Sequence, residues 1–328
     1  MDAKVRKLLF AILAGVAYGC VLQAHAQPYP SRPITFVVGF PPGGPADTVA
    51  RILAERMQPS LGESIIVENL TGAAGTIAAT KVARAAPDGY TLSIAHWTTS
   101  VGAPAIYKLP YDVIKDFEPV SLLSTSYLWI AGRGDLPAMN LQDLIADFRG
   151  DHKASVAIVG IGSASHLCMI DLQNKTNIQM QLVPYRGGAS SLQDMLAGQI
   201  DVACPEASQT LALYRGHQIK AFAVVSKERW FAAPEVPTMD EAGVSGLDIS
   251  FWHGLWAPKG TPPDIIAKLN AAVVEAFADP AVQQKFNAIG HVLPPRHAQT
   301  PDGLHAFHQA EIDKWWPIIK AANVKPEL

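Results

Sequence analysis

Two hydrophobic rhythms alternate along the chain. Short apolar, β-branched runs such as Ile34–Phe40 read as strands buried on both faces, and a stretch with helical spacing follows each of them. Ala46–Ser60 puts Val49, Ile52, Leu53 and Met57 on one helical face. Ser64–Glu68 predicts a second strand, Thr76–Ala86 a second helix and Thr91–Ala95 a third strand. The same order returns further on: strand Ser155–Gly160, helix Ala164–Thr176, strand Met180–Val183, helix Ala189–Ala197, strand Ile200–Cys204, helix Ser208–Gly216 and strand Ala221–Val225. Such alternation predicts parallel sheets covered by helices on both faces. In the last third, Pro262–Asp279 and Pro280–Ile289 read as helices opened by proline, and Asp302–Asn323 as a long amphipathic helix. On it, Trp315 and Trp316 read as packing residues, and His305, His308 and Glu311 as a solvated face rather than a metal patch. No Gly/Ser linker separates two halves. The expected form is two lobes joined by crossing strands, with Val120–Leu123, Tyr127–Ala131 and Ala221–Val225 as the crossings.

The opening of the chain follows a different logic. Lys4, Arg6 and Lys7 precede an apolar run from Leu8 to Leu22, and Ala24-His25-Ala26 offers small residues before a cut at Gln27. That is the three-part pattern of a cleaved secretory signal peptide over residues 1–26. The run is short for a membrane span of ~20 residues, and a lipoprotein cut before Cys20 fits poorly behind Ala17 and Tyr18. The expected location is periplasmic. There Cys168 and Cys204 are free to pair, although two buried thiols fit the sequence equally well.

Composition agrees with a globular protein of two domains: 328 residues, 49% hydrophobic and 17% charged. The formal charge is −3, and losing three basic and one acidic residue with the signal takes it to −5. That balance excludes nucleic acid as the expected partner, because phosphate binding needs a Lys/Arg surplus.

Ligands of parallel α/β sheets sit beyond the carboxyl ends of the strands, so the loops there carry the chemistry. After the first strand comes Phe40-Pro41-Pro42-Gly43-Gly44-Pro45-Ala46-Asp47, feeding a helix N-terminus suited to a carboxylate. Asp47 reads equally as a first-turn acid and as a ligand contact. The second strand leads into Thr71 and Gly72, the third into His96, Trp97, Thr98 and Thr99. In the other half the loops supply Gly162, Ser163, Ser165 and His166, then Tyr185, Gly187, Gly188 and Ser190, then Pro205 and Glu206. Six glycine- or hydroxyl-rich strand ends, three in each half, point to a ligand held between two sheets.

Enzyme signatures do not fit. Gly160-Ile161-Gly162-Ser163-Ala164-Ser165 lacks the third glycine of a dinucleotide fingerprint, and no phosphate-loop lysine, nucleophile elbow or zinc spacing occurs. No cofactor is expected. Ser163 three residues before His166 leaves an exported hydrolase as the rival reading, and a ligand sensor for a signalling partner as another.

From Tyr29 to Pro294 the chain resembles the Bug-type receptors of tripartite tricarboxylate transporters. The strings are Tyr29-Pro30-Ser31-Arg32-Pro33-Ile34, Phe40-Pro41-Pro42-Gly43-Gly44, Gly72-Ala73-Ala74-Gly75, Pro87-Asp88-Gly89-Tyr90, Val183-Pro184-Tyr185-Arg186-Gly187-Gly188, Gly198-Gln199-Ile200-Asp201 and Trp252-His253-Gly254. The resemblance implies an α/β, type II-like periplasmic binding-protein fold with two doubly wound lobes and an interlobe cleft. The lobes would be 27–126 with 227–328, and 127–226. It also implies a monomeric receptor that passes a small carboxylate to membrane subunits, gripped by Phe40–Asp47 and Gly160–His166, with Trp252 among the site residues. Two features depart from the family. Pro205-Glu206 stands where relatives carry Asp or Asn, and Glu206 either favours an amine- or hydroxyl-bearing ligand or faces solvent. Trp97 and Trp129 favour an aromatic or apolar ligand body if they line the cleft, and serve as packing if they do not.

Overall fold

A computed structural model describes residues 28–149, 153–185, 187–249 and 251–321; the predicted signal peptide and Arg186 lie outside the described residues. The chain divides into Met1–Ser31 and Arg32–Leu328. Of the first unit, residues 28–31 are described and are irregular, with a cis Tyr29–Pro30 bond.

The second unit opens with β1 (Ile34–Val38), α1 (Pro45–Leu61), β2 (Ile65–Asn69), α2 (Thr76–Ala83), β3 (Thr91–His96), a turn of π-helix at Thr98–Gly102, α3 (Ala103–Ile106) and β4 (Phe117–Ser126). Next come β5 (Trp129–Arg133), α4 (Leu141–Phe148), β6 (Ala154–Ile158), α5 (Ala164–Thr176), β7 (Met180–Pro184), α6 (Gly188–Leu196), β8 (Val202–Ala203), α7 (Ala207–Arg215) and β9 (Ile219–Val224). The chain closes with β10 (Phe251–Pro258), α8 (Pro263–Ala278), α9 (Pro280–Ala288) and α10 (Pro301–Ala321). No helix among the described residues is long and apolar enough to cross a membrane.

The strands form two five-stranded sheets, β2-β1-β3-β10-β4 and β7-β6-β8-β5-β9, each the base of one lobe. The expected parallel sheets are in fact mixed. β1 runs parallel to β2 and β3, and β6 to β7 and β8, whereas β10 and β5 are antiparallel to both of their neighbours. Each antiparallel strand is the one that enters its sheet from the other lobe. It starts at the crossing and runs outward, against strands whose carboxyl ends face the crossing. Because of that polarity, the loops after β1, β3, β6, β7 and β8 open on the same space.

Burial follows the predicted rhythm. Ile34, Phe36, Val37 and Val38 of β1 are buried, as a strand covered on both faces requires. On α1, Val49, Leu53 and Met57 are buried, and the helix ends on Gly62 at φ 78° with its N–H on the Gln58 carbonyl. Two elements go beyond the sequence reading. In α4, Leu141, Leu144, Ile145 and Phe148 form the buried stripe, and the Asn140 side chain caps the helix by accepting from the Asp143 N–H. β10 is buried along its whole length, so no alternation betrays it.

α10 corrects another expectation. His308 and Glu311 are buried rather than solvated: His308 Nε2 lies 2.8 Å from the Ser100 carbonyl, and Glu311 accepts from Trp252 Nε1 at 3.2 Å. Trp315 is buried edge-on against Trp97, and Trp316 donates to the Val101 carbonyl. Cys168 and Cys204 form a disulfide that joins α5 to the end of β8.

Candidate functional site

A cavity of about 320 Å³ lies where the strand ends of the two sheets meet. The first lobe contributes the Phe40–Ala46 loop, His96, Thr98 and Phe251, and the second Leu128, Val159, Ser163, Ser165, Gly187–Ala189, Leu192, Cys204–Glu206 and Gln209. Residues at the starts of α1, α5, α6 and α7 all lie in this lining. Gly44, Gly187 and Glu206, at three of those starts, supply no side-chain cap to their helices. Helix N-termini carry unsatisfied N–H groups and the positive end of the dipole. Four of them on one cavity favour an anion, and among the described lining residues there is no Lys or Arg.

The hydroxyls and imidazoles add neutral groups. Ser163 Oγ accepts from the His166 backbone N–H at 3.1 Å, Ser165 Oγ accepts from the Val159 N–H at 3.0 Å, and the two hydroxyls lie 2.9 Å apart. One of them donates to the other, which leaves a single hydroxyl proton for a ligand. His96 Nδ1 accepts from the Thr98 N–H at 3.2 Å, so the neutral ring carries its proton on Nε2 and acts as a donor. Burial pushes the His96 pKa down to about 3, keeping that ring neutral at physiological pH. Apolar walls come from Phe40, Leu128, Leu192 and Phe251.

The two lobes also touch directly. A Cβ on Gly102 of the first lobe would overlap the Gly162 carbonyl oxygen of the second, and one on Gly187 would sit 3.3 Å from Pro41 Cγ. The lobes meet backbone to backbone only because Gly102 has no side chain.

The comparisons with known proteins agree with this geometry. Residues 49–324 match the model described as the tripartite tricarboxylate transporter family receptor. The chain belongs to that family. It is 36% identical over 318 residues to a UPF0065 protein of the TAR-I ttuE-ttuC' intergenic region of Agrobacterium vitis, covering 97% of this chain and 92% of the relative. The periplasmic binding protein BugD superposes with a TM-score of 0.86 at 38% identity, over 91% of this chain and 100% of its own. MatC from Rhodopseudomonas palustris, solved with bound malate, superposes with a TM-score of 0.84 at 37% identity, over 89% and 100%. Membership makes the chain a solute-binding receptor with the expected two-lobed fold.

Within this receptor, Phe40, Pro42, Gly43, Gly44, His96, Thr98, Ser163, Ser165, Gly187, Gly188 and Glu206 are brought together at the cavity. Other candidates stand behind it. Asp47 is buried and accepts from the Gly43 N–H at 2.9 Å, Arg51 Nε at 2.8 Å and Asn69 Nδ2 at 3.0 Å, and Asn69 Nδ2 also holds the Phe40 carbonyl. Asp47 thus ties the first binding loop to α1 and β2. Thr99 donates to the Ala74 carbonyl, Ser190 to the Gly187 carbonyl and Tyr185 to Asp194. His166 Nδ1 accepts the Gly162 N–H, so Ser163 and the His166 imidazole form no hydrogen-bonded dyad; Ser163 is the N-cap of α5. Thr71 and Gly72 are exposed away from the cavity, after a strand one position further from the crossing.

Trp252 is fully buried against Trp256, Phe307 and His308. In a strand, alternate residues face opposite ways. Phe251 lines the cavity, and Trp252 therefore points into the core behind it. Sequence spacing does not reveal Phe251, because β10 carries no alternation that marks it as a strand. Trp97 and Trp129 are also core residues with no exposed surface, Trp129 donating to Thr210 at 2.8 Å. Glu206 faces no solvent: it is buried and forms part of the cavity wall.

Asp47 gives a pH-dependent expectation. Burial would raise its pKa, but the Arg51, Gly43 and Asn69 hydrogen bonds outweigh burial and hold it below the ordinary 3.8. A carboxyl with a depressed folded pKa contributes stability above the unfolded value and loses it as pH falls through the folded one. Asp47→Asn should cost about 2 kcal/mol near neutral pH. The gap to the parent should narrow as pH drops below 4. Urea unfolding at pH 7 and pH 3 checks this, and a gap that is constant with pH contradicts it.

Proposed function

We propose that this receptor is an exported, monomeric protein that binds a small dicarboxylate between its lobes and delivers it to the membrane subunits of a tripartite transporter. The lobes would comprise residues 27–126 with 227–328, and 127–226, with residues 1–26 removed on export. The observation that carries the reading is the set of four helix N-termini facing one cavity from both sheets. Amide N–H groups, one serine hydroxyl and His96 bind a carboxylate strongly once water is excluded, and they avoid the desolvation cost of a buried arginine. The cavity volume equals about ten water molecules, room for a short organic acid. The malate held by MatC supports the class. Phe40, Phe251, Leu128 and Leu192 suit an aliphatic backbone between the two acids.

The mechanism is hinge closure. Only the closed form lets the solute touch both lobes, so binding shifts the open–closed equilibrium by that differential affinity. Micromolar binding corresponds to roughly −8 kcal/mol, within reach of several charge-assisted bonds.

The test is mass spectrometry of the co-purifying solute, followed by calorimetry with malate, succinate and adipate. At least one should bind and be recovered chemically unchanged; conversion, or no binding by any carboxylate, overturns the reading. Ser165→Ala should weaken binding about tenfold by removing a cavity hydroxyl and leaving the Val159 N–H without its acceptor. Because His96 is neutral far above its pKa of about 3, affinity should change by less than about twofold between pH 6 and 8. Calorimetry at the two pH values reads this directly.

A further inference from the structure

Behind the cavity wall, Glu206 of the second lobe meets His253 and His291 of the first. Each residue offers one ligand atom, and the three atoms lie within 4.8 Å of one another. All three side chains are buried, the two histidines with no exposed surface. His291 Nε2 is 3.0 Å from Glu206 Oε1, yet out of line for a hydrogen bond. Glu206 Oε1 and His253 Nε2 are both buried without a hydrogen-bond partner. Two orphaned polar atoms in one buried cluster are costly unless something occupies the space between them.

The second layer of contacts points to what that is. Ser124 Oγ lies 3.0 Å from His291 Nδ1 and 3.3 Å from His253 Nδ1, and Ser208 Oγ is 3.3 Å from His291 Nε2. A hydroxyl oxygen has two lone pairs and can accept from both Nδ1–H groups. Each ring then turns its Nε2 lone pair away from Ser124, that of His253 unpartnered and that of His291 within reach of the Ser208 hydroxyl. Fixing a histidine through its other nitrogen is how metal-binding imidazoles are oriented.

We propose that Glu206, His253 and His291 bind a divalent transition-metal cation of the zinc class, which links the two lobes behind the solute cavity. Two imidazoles and one carboxylate are a borderline donor set that suits zinc, cobalt or nickel rather than calcium or magnesium. The hydrogen bonds within the cluster leave Glu206 Oε1 and His253 Nε2 without partners. A cation with bonds of about 2.1 Å satisfies all three once the cluster contracts by about 1 Å. It also removes an electrostatic conflict, since an ionised Glu206 otherwise borders a cavity built for an anion. The site stands on its own donors and does not depend on which solute the receptor carries.

Tag-free, chelator-treated protein dialysed against zinc chloride should retain one zinc per chain. Cobalt in its place should give the intense visible bands of a tetrahedral site. His253→Gln and His291→Gln should each weaken zinc binding at least 100-fold, and Ser124→Ala about 10- to 100-fold. Replacing the exposed His305 should change nothing. If a variant fails to fold by circular dichroism, the cobalt spectrum of the parent protein decides. Parent protein that leaves dialysis free of zinc, or zinc retention indifferent to both histidine variants, overturns the site. Malate binding measured in chelator keeps this outcome separate from the solute reading.

Discussion

Gly102→Ala should abolish solute-induced closure and weaken solute binding about 30-fold, the equivalent of about 2 kcal/mol. Gly102 sits at the end of the π-helical turn with an ordinary φ of −70°, so alanine is compatible with its backbone. The obstacle is space. The new methyl would occupy the position of the Gly162 carbonyl oxygen in the opposite lobe, and backbone cannot swing aside as a flexible side chain does. The Trp97 ring is the other close neighbour, at 2.8 Å, so the first lobe loses some stability as well. Two readouts separate these effects. Small-angle scattering should show the parent protein becoming more compact on adding solute, and the variant remaining extended. Chemical unfolding should show a smaller loss than the binding measurement. If the variant still compacts and binds within about threefold of the parent, the Gly102–Gly162 contact does not limit closure.

Removing the Cys168–Cys204 disulfide should cost about 4 kcal/mol, because it closes a loop of 36 positions in the unfolded chain. For a chain of this size that is roughly 8 °C in Tm. Cys204 belongs to the cavity wall, and Cys168 lies one turn into α5, whose first turn presents Ser163 and Ser165. The bond therefore fixes the serines relative to Pro205 and Glu206. The double Cys→Ala variant should bind solute about tenfold more weakly even where it is fully folded. Calorimetry well below Tm checks the second effect and thermal unfolding the first. Stability within about 1 kcal/mol of the parent would mean that the bond contributes little.

Much of this was legible in the residues. The order of strands and helices follows from hydrophobic period, and the loops that reach the cavity follow from the rule that α/β ligands lie beyond strand carboxyl ends. Gly43, Gly44, Ser163, Ser165, Gly187 and Glu206 could all be named that way. Side chains that merely support those loops could not be told apart from them. Asp47, Thr99 and Tyr185 sit within a few residues of lining positions, yet their polar atoms are taken by Gly43, Ala74 and Asp194. Sequence distance is blind to that difference in direction.

By itself the sequence determined the local elements, the family and the neutral chemistry of the loops, since period, turn residues and motif strings are properties of short segments. Tertiary structure alone decided which way β5 and β10 run, that Phe251 rather than Trp252 faces the cavity, and that Cys168 reaches Cys204. It also brought Glu206, His253 and His291 into one buried cluster. Each of these depends on chain segments far apart in sequence, and only the packing of the two sheets against their crossings sets how such segments meet.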